Sequence, residues 1–236
     1  MANFGLSQLT VVDQFAPPWR EAKSAVGAPE ILQTARETAT LAEAVAACTL
    51  VIGTGCLTYR KPEQPVVDLP DLAPLVAREL ACGGRVAMVF GSEKHGLGRE
   101  DLALCHCLAV IPTDKGQPSM NLGQAVAVCL YELAVRTGRA EGHPPLEADS
   151  LLPPSLKDDV DLSCESLLKA TSGNLDILTG LVEQAMQAAG YSPRSMQAAN
   201  RHDLHLMLRR ISLTAQDSRR ILGLFRRILW RLQRNR

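Results

Sequence analysis

The sequence of 236 residues lacks any hydrophobic run approaching the ~20 residues that are needed to cross a bilayer. Its N-terminus also lacks the basic start and apolar stretch of a secretory signal peptide. These absences argue against a membrane-spanning or secreted protein. A hydrophobic content of 46% is enough to bury a full core, so disorder is not expected. We therefore expect a folded, soluble and cytoplasmic protein.

Two common nucleotide-binding motifs are incomplete or missing. Gly53-Thr54-Gly55 follows an apolar run, but no third glycine opens a helix three residues later, as the dinucleotide fingerprint requires. The sequence also lacks the Gly-Lys-Ser/Thr of a phosphate loop. Both absences weaken the hypotheses of a nicotinamide-dependent dehydrogenase and of a nucleotide hydrolase. A Rossmann-like enzyme that uses another nucleotide remains a second alternative.

The seven cysteines are odd in number and show no paired spacing, which is typical of reduced thiols in a cytosolic protein. Cys105-His106-Cys107 resembles a fragment of a metal site. Zinc ligands are usually two or more residues apart, and immediate neighbours do not readily turn toward one ion. The sequence therefore predicts no metal site.

Charge is distributed unevenly, although the formal net charge is zero. Between residues 201 and 236, ten arginines face only Asp203 and Asp217, so this segment carries a charge of plus eight. The first 200 residues hold the remaining fifteen basic and twenty-three acidic side chains, a charge of minus eight. A basic tail of this kind indicates contact with nucleic acid or with an acidic membrane surface.

Short apolar runs bounded by turn residues alternate with stretches of helical spacing. The predicted strands are residues 9–12, 50–53, 85–90 and 108–111. This alternation predicts an α/β fold in which helices cover a parallel sheet. Residues 86–90 show no polar alternation, so we expect them to form a central strand that is buried on both faces.

The C-terminal part is predicted to be all-α. A helix starts after Asn121 and runs to Gly138, and residues 139–156 form a linker rich in proline, glycine and acidic residues. Residues 157–236 then form a small basic helical domain with helices at 174–189, 203–211 and from Thr214 onward. Gly190 is placed to end the first of these helices. Thr214 and Asp217 are placed to form a weak capping box at the start of the third.

The last helix carries more positive charge than solubility requires. The candidate RNA-binding residues are Arg219, Arg220, Arg226 and Arg227, and Arg231 and Arg234 lie on the same helix. Clustered arginines neutralise phosphates and release counterions, which favours RNA. A solvated helix face packed on the acidic body and a membrane-surface helix are the alternatives.

Three motif segments follow predicted strands, where ligands bind in open parallel sheets. The first is residues 51–56, the second is 90–97, and the third runs from Val110 to Ala125. The second contains Gly91-Ser92-Glu93-Lys94-His95-Gly96-Leu97. The third contains Ile111-Pro112 and then Ser119-Met120-Asn121-Leu122 at a helix start. Each segment alone is weak evidence, but their order and spacing are specific.

In this order the segments closely resemble the second and third signature motifs of the SpoU (TrmH) branch of SPOUT methyltransferases, over roughly residues 1–136. With Asn3-Phe4-Gly5-Leu6 and the basic helical extension, the chain is most similar to the TrmJ-type enzymes. These enzymes methylate the ribose 2'-hydroxyl of the pyrimidine at the start of the tRNA anticodon loop. The resemblance therefore implies a tRNA 2'-O-methyltransferase that uses S-adenosylmethionine. It also implies a homodimer that requires no metal.

The resemblance further implies that the end of the catalytic domain is threaded into a trefoil knot, which makes the cofactor pocket. The residues at the family's cofactor-binding positions are Thr54, Gly55, Cys56, Gly91, Ile111, Pro118, Ser119, Met120, Asn121 and Leu122. Small residues suit this task because the ligand must approach the main chain closely. Asn121, Ser119 and Glu93 are the candidate catalytic residues. Asn121 is also placed to cap the helix, and Glu93 to brace its loop or contact the other subunit.

Family members assist the weakly acidic ribose hydroxyl with an arginine in a first motif of the form Asn-x-Gly-x-x-x-Arg. That motif would lie just ahead of Ala2-Asn3-Phe4-Gly5. We therefore expect that the start codon has been assigned too far downstream. We also expect that the chain as written has impaired activity. Arg20 and Arg60 are the nearest substitutes, although their spacing recommends neither. A catalytically inactive RNA-binding relative is the first alternative function.

Overall fold

The computed structural model of the chain describes residues 1–12, 19–21, 27–55, 61–137, 168–191 and 193–234. All four predicted strands are present. They are β1 (Thr10–Val12), β3 (Leu50–Thr54), β5 (Val86–Val89) and β6 (Cys107–Val110). The sequence did not predict β2 (Arg36–Thr38) or β4 (Val66–Asp68). Each has only three residues and carries charge, so neither forms an apolar run.

The strands form two parallel sheets, which confirms the α/β prediction. β1 pairs with β2, and the second sheet has the order β4-β6-β3-β5. The interior strand β3 is the most buried, with Val51 and Ile52 fully inaccessible to solvent. Within the described residues, β5 is an edge strand and is only half-buried. The prediction of a central strand at residues 86–90 was therefore wrong. An apolar run indicates that both faces of a strand can be covered, but it does not show whether the strand has a hydrogen-bonded neighbour on each side.

Eight α-helices lie within the described residues. They are α1 (Pro29–Gln33), α2 (Leu41–Val45), α3 (Leu72–Ala81), α4 (Arg99–Ala103), α5 (Leu122–Arg136), α6 (Ser172–Ala188), α7 (Gln197–Ile211) and α8 (Ala215–Arg234). The predicted helices after Asn121, at 174–189 and from Thr214 are confirmed as α5, α6 and α8. Gly190 adopts a left-handed φ of 71° beyond the end of α6. Helix α7 starts six residues earlier than predicted, because its first turns are polar and exposed.

The cap of α8 differs in one bond from the predicted capping box. The backbone amide of Asp217 donates to Thr214 Oγ1 (3.1 Å), as expected. The Asp217 carboxylate, however, accepts from the Thr214 hydroxyl (2.8 Å) and not from its backbone amide. Aspartate is one methylene shorter than the glutamate of a complete capping box, so its carboxylate bonds the nearer hydroxyl.

Two apolar cores pack on opposite faces of the four-stranded sheet, and a third lies among the C-terminal helices. The N-terminus of α6 joins the sheet region through backbone bonds from Ser172 to Cys48 (2.8 Å) and from Gly173 to Ala46 (2.9 Å). Lys169 adds an ion pair with the buried Glu79 (3.1 Å). The predicted linker at 139–156 lies outside the described residues. Within those residues, no helix is long and apolar enough to cross a membrane.

Candidate functional site

The three motif segments converge at one edge of the sheet. They follow β3, β5 and β6, which are adjacent and parallel, so their carboxyl ends lie side by side. Loops at this end of a parallel sheet are the usual place for ligands. The topology therefore brings together segments that are about 60 residues apart in the chain.

The loop after β3 is tied to the loop after β5. The Thr54 hydroxyl donates to the carbonyl of Val89 (2.9 Å), the last residue of β5. Gly53 lies beneath this point, and a Cβ atom there would be 2.8 Å from the Cys105 sulfur. At Gly55, by contrast, a Cβ atom would have no heavy atom of the described residues within 4 Å. A bound molecule could therefore approach the main chain at Gly55, whereas the neighbouring Cys56 lies outside the described residues.

The loop after β5 folds back on Gly91. Ser92 and Gly96 form an isolated antiparallel bridge, and the Gly96 amide donates to the Ser92 carbonyl (2.8 Å). A Cβ at Gly91 would lie 2.0 Å from the backbone carbon of Gly96. This distance is far below van der Waals contact, so only glycine permits the loop to close. Leu97 then anchors the loop, with 5% of its surface exposed.

The loop after β6 presents both apolar and polar groups. Ile111 packs against the sheet core, and Pro118 is half-buried. The Thr113 hydroxyl donates to the Pro118 carbonyl (3.3 Å), which closes the loop. Ser119 and Met120 are exposed, Met120 by 37%. An exposed methionine next to small residues provides an apolar surface for a flat ligand.

Asn121 connects the second and third motif segments. Its side-chain oxygen accepts from the amides of Gly123 (2.9 Å) and Gln124 (3.3 Å), so it caps α5 as predicted. Its side-chain nitrogen donates to Glu93 Oε1 (3.1 Å). Glu93 therefore braces the motif loops within one chain, which is one of the two roles that the sequence suggested. Both roles of the Asn121 amide are fixed by these bonds, because its oxygen accepts and its nitrogen donates.

The three loops suit S-adenosylmethionine chemically. Open space at Gly55 lets a ligand reach backbone groups, and the exposed Met120 offers an apolar contact for an adenine ring. Leu122, the first residue of α5, is half-buried beside them. A separate cavity of about 460 Å³, lined by residues 2, 5–7 and 27–31, shares none of these residues. We therefore place the candidate cofactor site at the three loops.

Arg20, one of the two proposed substitutes for the family arginine, is held by its own surroundings. Its guanidinium donates to Glu37 Oε1 (2.9 Å) and to the carbonyls of Leu32 and Gln33 (both 2.8 Å). It also donates to the carbonyl of Ala35 (2.9 Å). All three nitrogens are engaged in fixing the region around β2, which makes Arg20 a poor phosphate ligand. Arg60 lies outside the described residues.

His106 has a structural contact that the sequence did not reveal. Its Nδ1 accepts from the backbone amide of Val51 (3.1 Å), and its own amide donates to the Val51 carbonyl (2.8 Å). Burial, together with the positive charges of Arg209 and Lys169, lowers the pKa of His106 to about 3. The imidazole is therefore neutral and extends the β3–β6 ladder by one bond. Among the described residues, no group of three or more His, Cys, Asp or Glu side chains could hold a metal ion.

The candidate RNA-binding arginines all lie on the solvent side of α8. Arg219, Arg220, Arg226 and Arg227 are exposed, as are Arg231 and Arg234. Among described residues, only Arg220 of these six forms an ion pair, and its partner Asp217 lies on the same helix (3.7 Å). Within the described residues these arginines are therefore solvated, and their contact with RNA stays a prediction beside the alternative of a solvated helix face.

The fold and the motif loops are those of a SpoU-type methyltransferase. Residues 1–131, more than half of the chain, match the sequence profile of the SpoU rRNA Methylase family. A TrmJ relative from Yersinia pestis (strain Pestoides F) is 32% identical over 187 residues. That alignment covers 78% of this chain and 70% of the relative. The chain therefore belongs to the SpoU methylase family.

Within the family, the similarity is to TrmJ proteins. The relative from Pseudomonas aeruginosa (strain UCBPP-PA14), a tRNA (cytidine/uridine/adenosine-2'-O-)-methyltransferase TrmJ, is 39% identical over 145 residues. That match covers 61% of this chain and 56% of the relative, so it spans little more than half of the relative's length. The crystal structure of TrmJ from Z. mobilis ZM4 superimposes with a TM-score of 0.74 at 27% identity. It covers 97% of this chain and 89% of that one. The predicted resemblance is thereby confirmed.

Proposed function

We propose that this chain is an S-adenosylmethionine-dependent tRNA methyltransferase that modifies a ribose 2'-hydroxyl, that of the pyrimidine at the start of the anticodon loop. The hydrogen bond between Asn121 and Glu93 carries the proposal, because it joins the two motif loops that identify the family. The names of the TrmJ relatives support tRNA as the substrate. Their names also favour a catalytic role over that of an inactive RNA-binding protein.

The loops of the chain would bind and orient both substrates. When bound, S-adenosylmethionine would supply the methyl group: the ribose 2'-oxygen bonds to that carbon as the S–CH3 bond breaks, S-adenosylhomocysteine leaves, and the hydroxyl proton passes to water. Thr54, Gly55, Gly91 and Ile111 would line the cofactor site, together with Cys56, Pro118, Ser119, Met120, Asn121 and Leu122. Orientation of two reactants in one site removes most of the entropic cost of their encounter. The loops that carry Gly91 and Asn121 are held rigid by their own hydrogen bonds, which favours such a geometry.

The candidate catalytic residues have different tasks in this proposal. Ser119 is exposed beside the capped helix, where its hydroxyl can hydrogen-bond a ribose. Asn121 holds the loop that presents Ser119, and Glu93 holds Asn121. Because Glu93 Oε1 already accepts from Asn121, we assign Glu93 to positioning and not to removal of the hydroxyl proton.

Several features of the whole protein belong to the same proposal. We expect the trefoil knot of the family at the end of a catalytic domain of residues 1–138, then the 139–156 linker and a small all-α domain of 157–236. We also expect a homodimer, which the exposed Val128 (37%) and Tyr131 (53%) on α5 support as an apolar surface. The exposed arginines of α8 would hold the tRNA backbone, and the enzyme would work in the cytoplasm without a metal.

Methyl transfer tests this function directly. The chain is incubated with methyl-labelled S-adenosylmethionine and an unmodified tRNA transcript, and nuclease digestion with mass spectrometry locates the label. We expect a 2'-O-methylated pyrimidine at the first position of the anticodon loop, in low yield because none of the 236 residues supplies the family's motif-one arginine. Binding of S-adenosylhomocysteine and of tRNA without transfer would favour the inactive RNA-binding alternative, and binding of neither would contradict the proposal.

A further inference from the structure

Helix α8 exposes an indole ring within its arginine face. Trp230 is 50% exposed, and the Arg234 guanidinium stacks on its ring at 4.7 Å from the centroid. The ring is therefore accessible to solvent and sits beside a cation. Tryptophan joins a large apolar ring to a hydrogen-bond donor, so an exposed one beside clustered arginines is suited to stacking on a ligand.

The residues around Trp230 form one stripe, which we define as Gly223, Arg226, Arg227, Trp230 and Arg234. The other four lie three, four or seven positions from Trp230, so they share one side of the helix with it. Gly223 lies inside the helix at a cost in stability, and a side chain there would meet nothing within 4 Å. Side chains on a helix lean toward its N-terminus, so the indole lies toward the turn that carries Arg226 and Arg227. The stripe thus places an exposed aromatic ring among arginine side chains.

Trp19 provides a comparison within the same chain. The Arg20 guanidinium also stacks on its ring at 4.7 Å from the centroid. Arg20, however, is fixed by Glu37 and by backbone carbonyls. Trp19 is partly buried and thus less exposed than Trp230. Among the described residues, Arg234 has no such carboxylate partner. The pair on α8 is therefore free to take another planar group, whereas the pair at residues 19–20 has a structural role.

We propose that the Trp230 stripe is a stacking site for an unpaired nucleobase of RNA. The indole would stack on the base, and Arg226, Arg227 and Arg234 would contact the adjoining phosphates. Aromatic stacking between arginines is how proteins bind single-stranded nucleic acid with little sequence preference. This inference rests on the proposed function, because it specifies how the tRNA methyltransferase would hold its substrate: by a flipped or looped-out base and not by a duplex.

The distribution of apolar residues on α8 favours RNA over a membrane surface. The exposed Leu224 (57%) and Ile228 (38%) lie roughly 120–160° around the helix from Trp230, at about 100° per residue. A membrane-surface helix places its tryptophan and its aliphatic residues together on the inserted face. On α8 the tryptophan shares a face with the arginines instead.

Fluorescence of Trp230 tests the proposal. The chain holds two tryptophans, so Trp19→Phe leaves Trp230 as the sole indole emitter. This variant of the full chain is titrated with single-stranded oligoadenylate of about twelve nucleotides, with a blunt RNA duplex of equal charge, and with vesicles of anionic phospholipid. We expect strong quenching by the single strand and little by the duplex. Unchanged emission while the single strand binds would overturn the proposal, as would a blue shift with vesicles alone.

Three substitutions separate stacking from charge. Trp230→Leu should weaken single-strand binding by about tenfold and leave duplex binding unchanged, whereas Trp230→Phe should retain most of the affinity. Arg226→Ala should weaken both ligands to the same extent. Equal single-strand affinity of Trp230→Leu and the parent would contradict stacking.

Methyl transfer is measured in parallel: transfer without quenching would refute the stacking site alone, and quenching without transfer would refute the proposed function alone.

Discussion

Single glycines control whether the motif loops form. A Cβ at Gly91 would overlap the Gly96 backbone at 2.0 Å, so Gly91→Ala must open the loop. We expect this variant to lose about 1–3 kcal/mol of unfolding free energy and to lose S-adenosylhomocysteine binding. Gly180→Ala is the matched control, because Gly180 lies on α6, outside the motif loops, and among the described residues its Cβ would meet nothing within 4 Å. Chemical denaturation and calorimetry check both, and a Gly91→Ala variant as stable as the parent would contradict the description of this loop.

The donor and acceptor roles in the hydrogen bond between Asn121 and Glu93 can be exchanged by two substitutions. Asn121→Asp keeps the oxygens that cap α5 but loses the donor to Glu93 and places two carboxylates together. We expect cofactor affinity to fall by about fivefold, since roughly one hydrogen bond is lost. The double variant with Glu93→Gln restores a donor and an acceptor, so it should recover affinity. Failure of the double variant to exceed the single one would show that the bond does not organise the site.

His106 makes the stability of the fold depend on pH. Burial, with Arg209 and Lys169 nearby, lowers its pKa from 6.5 to about 3 in the folded chain. Between those values the unfolded chain binds a proton that the folded chain does not. The stabilisation is therefore complete above pH 6.5 and is lost as the pH falls toward 3.

We expect this single group to reduce the unfolding free energy by about 1 kcal/mol between roughly pH 7.5 and 5.5. His106→Gln keeps a polar group but does not titrate, so its stability should decline less over the same range. Urea denaturation of both proteins at several pH values makes the comparison. Parallel pH profiles for the two would exclude His106 as the source.

At the scale of elements, a buried arginine joins α7 to the sheet region. Arg209 is 2% exposed, and its Nε donates to the carbonyl of Leu104 (2.9 Å), just after α4. Its guanidinium also contacts Asp176 on α6 (2.9 Å) and His205 Nδ1 (3.0 Å). Burial raises the pKa of the Asp176 carboxyl, but the hydrogen bond from His205 and the charge and hydrogen bond of Arg209 together hold it below its usual range. One side chain thus fixes α6, α7 and the end of α4.

Arg209→Ala should therefore be strongly destabilising. It leaves the Asp176 carboxylate partly buried without its cation, which costs about 3 kcal/mol in comparable sites. Arg210→Ala is the control, because Arg210 is the exposed neighbour on the same helix. Thermal denaturation compares the two, and similar melting temperatures would mean that Arg209 does not hold the helices to the sheet.

The sequence predicted those elements whose residues carry a local signal. Apolar runs identified β3 and β6, and glycine or threonine at the ends located α6 and α8. Contacts between distant residues left no such signal. In the sequence, Arg209 belongs to a basic tail, although it is buried in the structure. His106 resembles part of a metal site, although it bonds the backbone of Val51. Trp230 could have been noticed as an aromatic residue within an arginine run.

The candidate site was predictable in a different way. Gly91, Asn121 and the segments around them were identified through a family motif, and the parallel topology then explains why they meet. The bond from Asn121 to Glu93 joins residues 28 positions apart, so no local pattern could reveal it. The edge position of β5 was equally hidden, because it depends on strand order.

At the scale of the whole molecule, the fold separates two charged surfaces. The acidic body and the basic tail are joined by the buried contacts of Arg209, in the tail, with Leu104 and Asp176 in the body. The remaining arginines of α8 stay exposed. The chain can thereby present a cofactor site on its sheet and a cationic surface on its last helix, which are the two parts that an RNA-modifying enzyme needs.

We propose that the loops after β3, β5 and β6 together bind S-adenosylmethionine. Hydrogen–deuterium exchange with and without S-adenosylhomocysteine measures this most directly. We predict slower exchange confined to residues 50–55, 90–97 and 111–124, with the rest of the chain unchanged. Protection at the cavity formed by residues 2, 5–7 and 27–31, or no protection anywhere, would contradict this proposal.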